Sequence, residues 1–229
     1  MAILRAVVFD LDNVLYDEKD YIYAAFNSIA LFLSERSSLS EDEIYSKLAR
    51  DLENKGSMYP RLFNDAMDDL GLKQHLVTEI LRLYATVDSS IKLFPEAKNT
   101  LMVLRRLGLK LALVTNGGVR IQRNKVRLLR VEGLFDTVVY ARETQFAKEK
   151  PHPEAYIAAL QKLGVGAEEA LCVGDNPHTD FLGAKQLGML TVRILCGEFK
   201  DDHLSDEFEA EIELRNIAGL LGVIEQLNR

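Results

Sequence analysis

Short apolar runs that alternate with helix-period segments predict an α/β chain built on a doubly wound parallel sheet. Near-continuous apolar runs recur at residues 2–9, 110–114, 137–140, 170–173 and 190–195. Strands buried on both faces of a parallel sheet read this way. Between them lie helical segments with clear stops: Pro95 opens 96–107 and Gly108 closes it, 154–163 ends at Gly164, and 181–187 ends at Gly188. Residues 210–214 add a last short strand before a helix over 216–227. Ligands of such sheets bind outside the carboxyl ends of the strands, so the strand ends are where chemistry is expected.

One interval breaks the alternation. Residues 18–91 hold no convincing strand, only helical stretches at 21–33, after the capping box Ser40-Glu41-Asp42-Glu43, at 59–70 ended by Gly71, and at 76–84. The expected organisation is therefore an α/β core from 1–17 and 92–229 with an all-helical insert at 18–91.

Bulk properties narrow the partners. A chain of 229 residues with 48% hydrophobic residues fills a real core without disulfides or metal staples. Its formal charge of −7 argues against polyanionic partners, nucleic acid and anionic membrane alike. Cys172 and Cys196 form no CxxC, which suits a reducing cytoplasm. The apolar start is interrupted by Arg5 and Asp10, and no uncharged run reaches the length of a membrane span. A cytoplasmic protein acting on a small molecule, as a monomer or homodimer, is expected.

Four motifs fall at predicted strand ends. The first, Phe9-Asp10-Leu11-Asp12, ends a strand in two carboxylates at a spacing that puts both on one face. Such a pair can hold a hard cation, and one carboxylate can attack phosphorus while the other handles the leaving-group proton. The second, Val114-Thr115-Asn116-Gly117-Gly118, delivers a hydroxyl and backbone amides to a tight turn able to cradle a phosphoryl oxygen. The third places Lys150 before Pro151 and Pro153, where extended backbone presents an ammonium that can neutralise a transferring phosphoryl group. The fourth, Val173-Gly174-Asp175-Asn176-Pro177-His178-Thr179-Asp180, supplies a third carboxylate at the same edge. Each motif has an ordinary reading as turn, cap or solvated loop; their coincidence at strand ends is what carries weight.

In this order the motifs resemble the signature of the haloacid dehalogenase superfamily over about residues 3–195. The resemblance implies a Rossmann-like core and a phosphatase, with Asp10 as nucleophile and Asp12 as general acid and base. It further implies Mg²⁺ on the side chains of Asp10 and Asp175 and the backbone carbonyl of Asp12. Thr115, Asn116 and Lys150 would hold the phosphoryl group, with Asp180 supporting from behind. The insert looks like the cap of subfamily I, which closes over the site. Asn13 and Val14 stand where many members have Gly and Thr, so the local turn is a departure. Thr115-Asn116-Gly117 with Gln122 and Lys125 looks like the branch of nucleotidases and sugar-phosphate phosphatases.

The leading expectation is a Mg²⁺-dependent phosphomonoesterase acting on a small metabolite such as a nucleoside monophosphate or sugar phosphate. A phosphomutase would keep the same groups; a 2-haloacid dehalogenase resembles members without a second aspartate, and Asp12 argues against it. A non-catalytic binding protein would be expected to lack a catalytic side chain. Tyr21, Tyr23, Arg61, Phe63 and Asn64 in the insert, with His178, Arg120 and Arg123, read first as core or surface and stay outside the catalytic set.

Overall fold

A computed structural model describes residues 3–143 and 148–228. Its strands are β1 (Ala6–Phe9), β2 (Lys110–Thr115), β3 (Thr137–Tyr140), β4 (Ala170–Gly174), β5 (Leu190–Ile194) and β6 (Ile212–Leu214). All pair in parallel in the order β3-β2-β1-β4-β5-β6, which is the doubly wound sheet expected. The first strand is shorter than its apolar run, beginning at Ala6; Ala2, at the start of that run, lies outside the described residues.

Five helices belong to the sheet: α5 (Ala97–Arg106), α6 (Val119–Leu129), α7 (Glu154–Leu163), α8 (Leu182–Gln186) and α9 (Leu220–Leu227). Alternation along the strands splits the apolar side chains between two layers. Ala6, Val8, Ala112, Val114, Val139 and Cys172 form one face and bury against Ala155, Tyr156, Ala159, Leu160 and Leu163 of α7. Val7, Leu111 and Leu171 sit in register on the other face, followed by Phe9, Leu113 and Val173, all fully buried. This double burial is why the strands read as continuous apolar runs.

The chain divides into two compact units, residues 1–18 with 92–229 and residues 19–91. The second is all-helical: α1 (Glu18–Ser34) enters it, and α2 (Glu41–Lys55), α3 (Leu62–Asp69) and α4 (Val77–Thr86) complete it. Ser40 and Glu43 close the capping box that starts α2, each side chain bonding the other's backbone N–H at 3.2 and 2.8 Å. Phe26, Ile29, Leu33, Ile44, Leu48 and Ile80 form its centre. Tyr21 is fully buried with its hydroxyl on the Tyr84 carbonyl, and edge contacts link Tyr23 to Phe26 and Phe63 to both Phe26 and Tyr84. These aromatics pack the helical interior. Arg61 pairs with Asp65, and Asn64 with Gln74.

Two glycines in core helices give opposite expectations. A Cβ at Gly183 in α8 would lie 2.3 Å from the Pro151 carbonyl oxygen, whereas one at Gly222 in α9 meets nothing within 4 Å. Gly183→Ala is therefore expected to destabilise by about 1–3 kcal/mol through backbone displacement. Gly222→Ala should stabilise by roughly 0.5–1 kcal/mol through helix propensity. Urea denaturation of the two variants beside the parent checks both signs; a stabilised Gly183→Ala would contradict the close packing of α8 on the Lys150 loop.

Candidate active site

The carboxyl ends of β1, β2 and β4 bring the predicted residues together. Asp10 follows β1, its backbone N–H donating to the Val173 carbonyl at 2.8 Å, which fixes it beside the end of β4. Lys150 arrives on the loop before α7, across a cis peptide bond to Pro151. Its ammonium is 2% exposed and donates to Asp10 Oδ1 at 2.5 Å and to Asp180 Oδ1 at 2.7 Å. Burial opposes the charge of Lys150, yet the carboxylates of Asp10 and Asp180 outweigh it and hold its pKa above the ordinary lysine value.

Asp10, Asp175 and Asp180 each offer an oxygen within 4.8 Å of the others. One lysine does not balance three carboxylates. Burial, the opposed attraction of Lys150 and the repulsion of Asp180 and Asp12 together push the Asp10 carboxyl up to about 7. Asp175 is raised well above the usual carboxylate range, by burial first and then by Asp180 and Asp10; the Asn13 amide, donating at 3.2 Å, only partly offsets this. A divalent cation fits such a donor set, because hard cations take oxygen ligands and relieve clustered negative charge.

The three acids are not equivalent. Asp180 Oδ2 accepts the backbone N–H groups of Asp175 and Asn176 at 3.1 and 3.0 Å, while Oδ1 takes Lys150 and Thr179. Both of its oxygens are thus occupied. Gly174 makes this possible, since a Cβ there would stand 2.3 Å from Asp180 Oδ2. The glycine and both aspartates of the fourth motif therefore serve one arrangement: Asp180 caps the turn that aims Asp175.

Thr115 ends β2 with 1% exposure, and its hydroxyl lies 3.4 Å from the Asn116 carbonyl. The resemblance gives Asn116 a contact to the phosphoryl group; its side chain bonds the protein's own backbone. Its amide is committed to the Lys150 backbone, donating Nδ2 to the carbonyl at 2.9 Å and accepting the N–H on Oδ1 at 3.0 Å. Asn116 thus ties the second motif to the third. In the same turn Gly117 donates its N–H to Glu149 Oε2 at 3.2 Å.

Asp12 takes a course of its own. The strand ends at Phe9, and Asp12 stands beyond it, near enough to Asp10 to repel its carboxylate. The Asp12 carboxylate accepts from Tyr16 Oη at 2.6 Å, Lys125 Nζ at 2.7 Å and Gln122 Nε2 at 2.8 Å. Lys125 also bonds Glu18 at 2.8 Å. Burial raises the Glu18 carboxyl more than the Lys125 charge lowers it. Sequence reading noted Gln122 and Lys125 only as marks of a branch, and gave Tyr16 and Glu18 no role.

Asn13 resolves the departure in the first motif. Its φ of 57° is in the left-handed region, which Asn tolerates better than most residues. Its side chain bridges Asp175 and the Glu18 N–H. Arg193, fully buried on β5, donates to the Asp175 carbonyl at 3.3 Å and to the carbonyls of Phe199 and Asp202, backing the β4 turn. A single arginine in a β-strand carries no sequence signal for this. His178 pairs with Asp202 at 2.9 Å, and Arg123 with Glu143 at 2.6 Å. No helix of the described residues is long and apolar enough to cross a membrane.

Comparison with known proteins finds relatives along nearly the whole chain. A glyceraldehyde 3-phosphate phosphatase of Methanopyrus kandleri is 32% identical over 98% of both chains, and one of Methanocaldococcus jannaschii is 29% identical over 99% of both. The crystal structure of a HAD phosphatase from Thermococcus onnurineus, 26% identical, covers 96% of this chain and 98% of its own with a TM-score of 0.67. The family model for haloacid dehalogenase-like hydrolases matches residues 7–194, the span that runs from β1 to the end of β5 and contains every motif. The chain belongs to the haloacid dehalogenase-like hydrolases.

Proposed function

We propose that this protein is a Mg²⁺-dependent phosphomonoesterase that hydrolyses a small phosphorylated metabolite through a phosphorylated Asp10. The observation that carries the reading is the buried contact of Lys150 with Asp10 beside the carboxylates of Asp175 and Asp180. The activity named for the relatives supports it, and glyceraldehyde 3-phosphate is the first substrate to test.

In this reading an Asp10 oxygen attacks phosphorus, the ester P–O bond breaks, and its electron pair goes to the leaving oxygen. Asp12 gives that oxygen a proton, then takes one from the water that hydrolyses the aspartyl phosphate. Lys150 keeps Asp10 oriented and offsets charge on the transferring group, while Thr115 and the backbone N–H groups of its turn bind phosphoryl oxygens. Asp10 and Asp175, with the Asp12 carbonyl, would hold Mg²⁺, which when bound supplies the positive charge the acids lack. Asp180, already saturated by hydrogen bonds, orients Lys150 and the Asp175 turn. Residues 18–91 act as the cap of this reading, with substrate choice residing there.

Asp10→Asn keeps the shape and removes the nucleophile. Turnover of glyceraldehyde 3-phosphate should fall on the order of 10⁴-fold or more, measured as phosphate release. Chelation should abolish the parent activity and added Mg²⁺ restore it. Persistent turnover by the Asn variant would remove Asp10 from the chemistry.

The sign of the pH dependence follows from Asp10. A carboxyl raised from 3.8 to about 7 in the folded protein contributes stability below 3.8 that is lost as pH rises toward 7. A cation binds the ionised form and displaces that proton, so its affinity falls as pH drops below about 7. The rise in Tm produced by Mg²⁺ should therefore grow from pH 5 to pH 8. A constant rise across this range would show that cation and proton do not compete at this site.

A further inference from the structure

We infer that Lys125, Gln122 and Tyr16 are positioning residues that hold Asp12 for proton transfer, with Glu18 as the second anchor of Lys125. The inference rests on the phosphatase reading and assigns parts that reading does not use. Both Asp12 oxygens are engaged: Oδ1 by Tyr16 and Lys125, Oδ2 by Gln122. Lys125 is 2% exposed, and an ammonium taken out of water is costly unless its partners are fixed. Its ammonium pairs with both Asp12 and Glu18.

Several features hold this cradle in one form. Gln122 and Lys125 stand three residues apart on α6 and so share one helix face. The Gln122 amide donates to the Asn116 carbonyl at 2.5 Å as well as to Asp12, so turning it over would lose both bonds. Among the described residues its buried Oε1 has no hydrogen-bond partner, while Nε2 is on Asp12. Gly117 has φ 102°, and a Cβ there would lie 3.2 Å from Gln122 Nε2, so the glycine suits both its own backbone and the approach of the amide. α6 thereby joins the acid of the first motif to the phosphate-binding turn of the second.

The donor set also tolerates a change at Asp12. The leaving oxygen takes its proton from Asp12 in this reading. The Tyr16 hydroxyl can accept as well as donate. Lys125 keeps Glu18 when its bond to Asp12 loosens.

Leaving-group dependence tests this. A nitrophenolate departs without a proton; the alkoxide of glyceraldehyde 3-phosphate does not. Lys125→Met alone would strand Glu18, so the charge-balanced pair Lys125→Met with Glu18→Gln is used, alongside Gln122→Leu. For each, kcat/KM is measured on glyceraldehyde 3-phosphate and on p-nitrophenyl phosphate, with Mg²⁺, and Tm is recorded. The expected result is a loss of about 100-fold on the alkyl ester and less than about threefold on the aryl ester, the size of a general-acid contribution. Equal losses on both esters, with or without a fall in Tm, would make these residues structural and overturn the inference; so would unchanged rates on both. If the parent hydrolyses p-nitrophenyl phosphate but the Asp10→Asn variant does so equally well, the phosphatase reading itself fails, a result distinct from equal losses in the cradle variants.

Discussion

The Lys150 ammonium, closed between Asp10 and Asp180, is the contact on which the site depends. An isolated ammonium in this position would be driven to give up its proton, and isolated carboxylates would be driven to take one. Pairing them lets a lysine from one loop and acids from two strand ends occupy the same dry volume. It also fixes geometry. Asp180 is pinned from the other side by two backbone N–H groups, so the lysine reaches Asp10 along a line set by the backbone of the β4 turn. Attraction nevertheless falls short of balance, as the raised carboxyls of Asp10 and Asp175 attest.

The sheet converts this electrostatic demand into architecture. β1 lies between β2 and β4, so three of the four motifs leave adjacent parallel strands at the same edge. The remaining one, with Lys150, lies in the loop before α7, and Asn116 pulls it in by bonding both its N–H and its carbonyl. The Asn116 side chain splices two backbone segments. That choice has a physical basis: a loop holding a buried charge must satisfy its own peptide groups, and an amide can supply donor and acceptor together.

Legibility in the sequence follows how local each signal is. The strands were readable because burial on both faces leaves apolar runs, and the stops at Gly164 and Gly188 because positive φ favours glycine there. Asp10, Lys150, Asp175 and Asp180 were readable because each belongs to a short motif at a strand end. What escaped depends on partners distant in the chain. Lys125 meets Asp12 across 113 residues, and Gln122 meets it across 110. On a helix rich in arginine, a further lysine reads as surface, and only the folded chain distinguishes a residue that is 2% exposed. The shared face expected of Asp10 and Asp12 rested on one assumption. It extended strand alternation past Phe9, into backbone that has already left the sheet and turns left-handed at Asn13.

The two aspartates of the first motif thus meet two buried lysines, and each lysine is shared with a second acid: Lys150 between Asp10 and Asp180, Lys125 between Asp12 and Glu18. Sharing has a consequence that a simple pair lacks. A lysine bound to one carboxylate alone would be stranded whenever that carboxylate became a neutral acid, and a stranded buried charge destabilises by several kcal/mol. With a second, unreacting carboxylate in place, the lysine stays paired while its partner changes chemical state. In the proposed reaction Asp12 passes through a neutral carboxyl while Glu18 keeps Lys125 paired, and a phosphorylated Asp10 keeps negative charge beside Lys150, which Asp180 holds throughout.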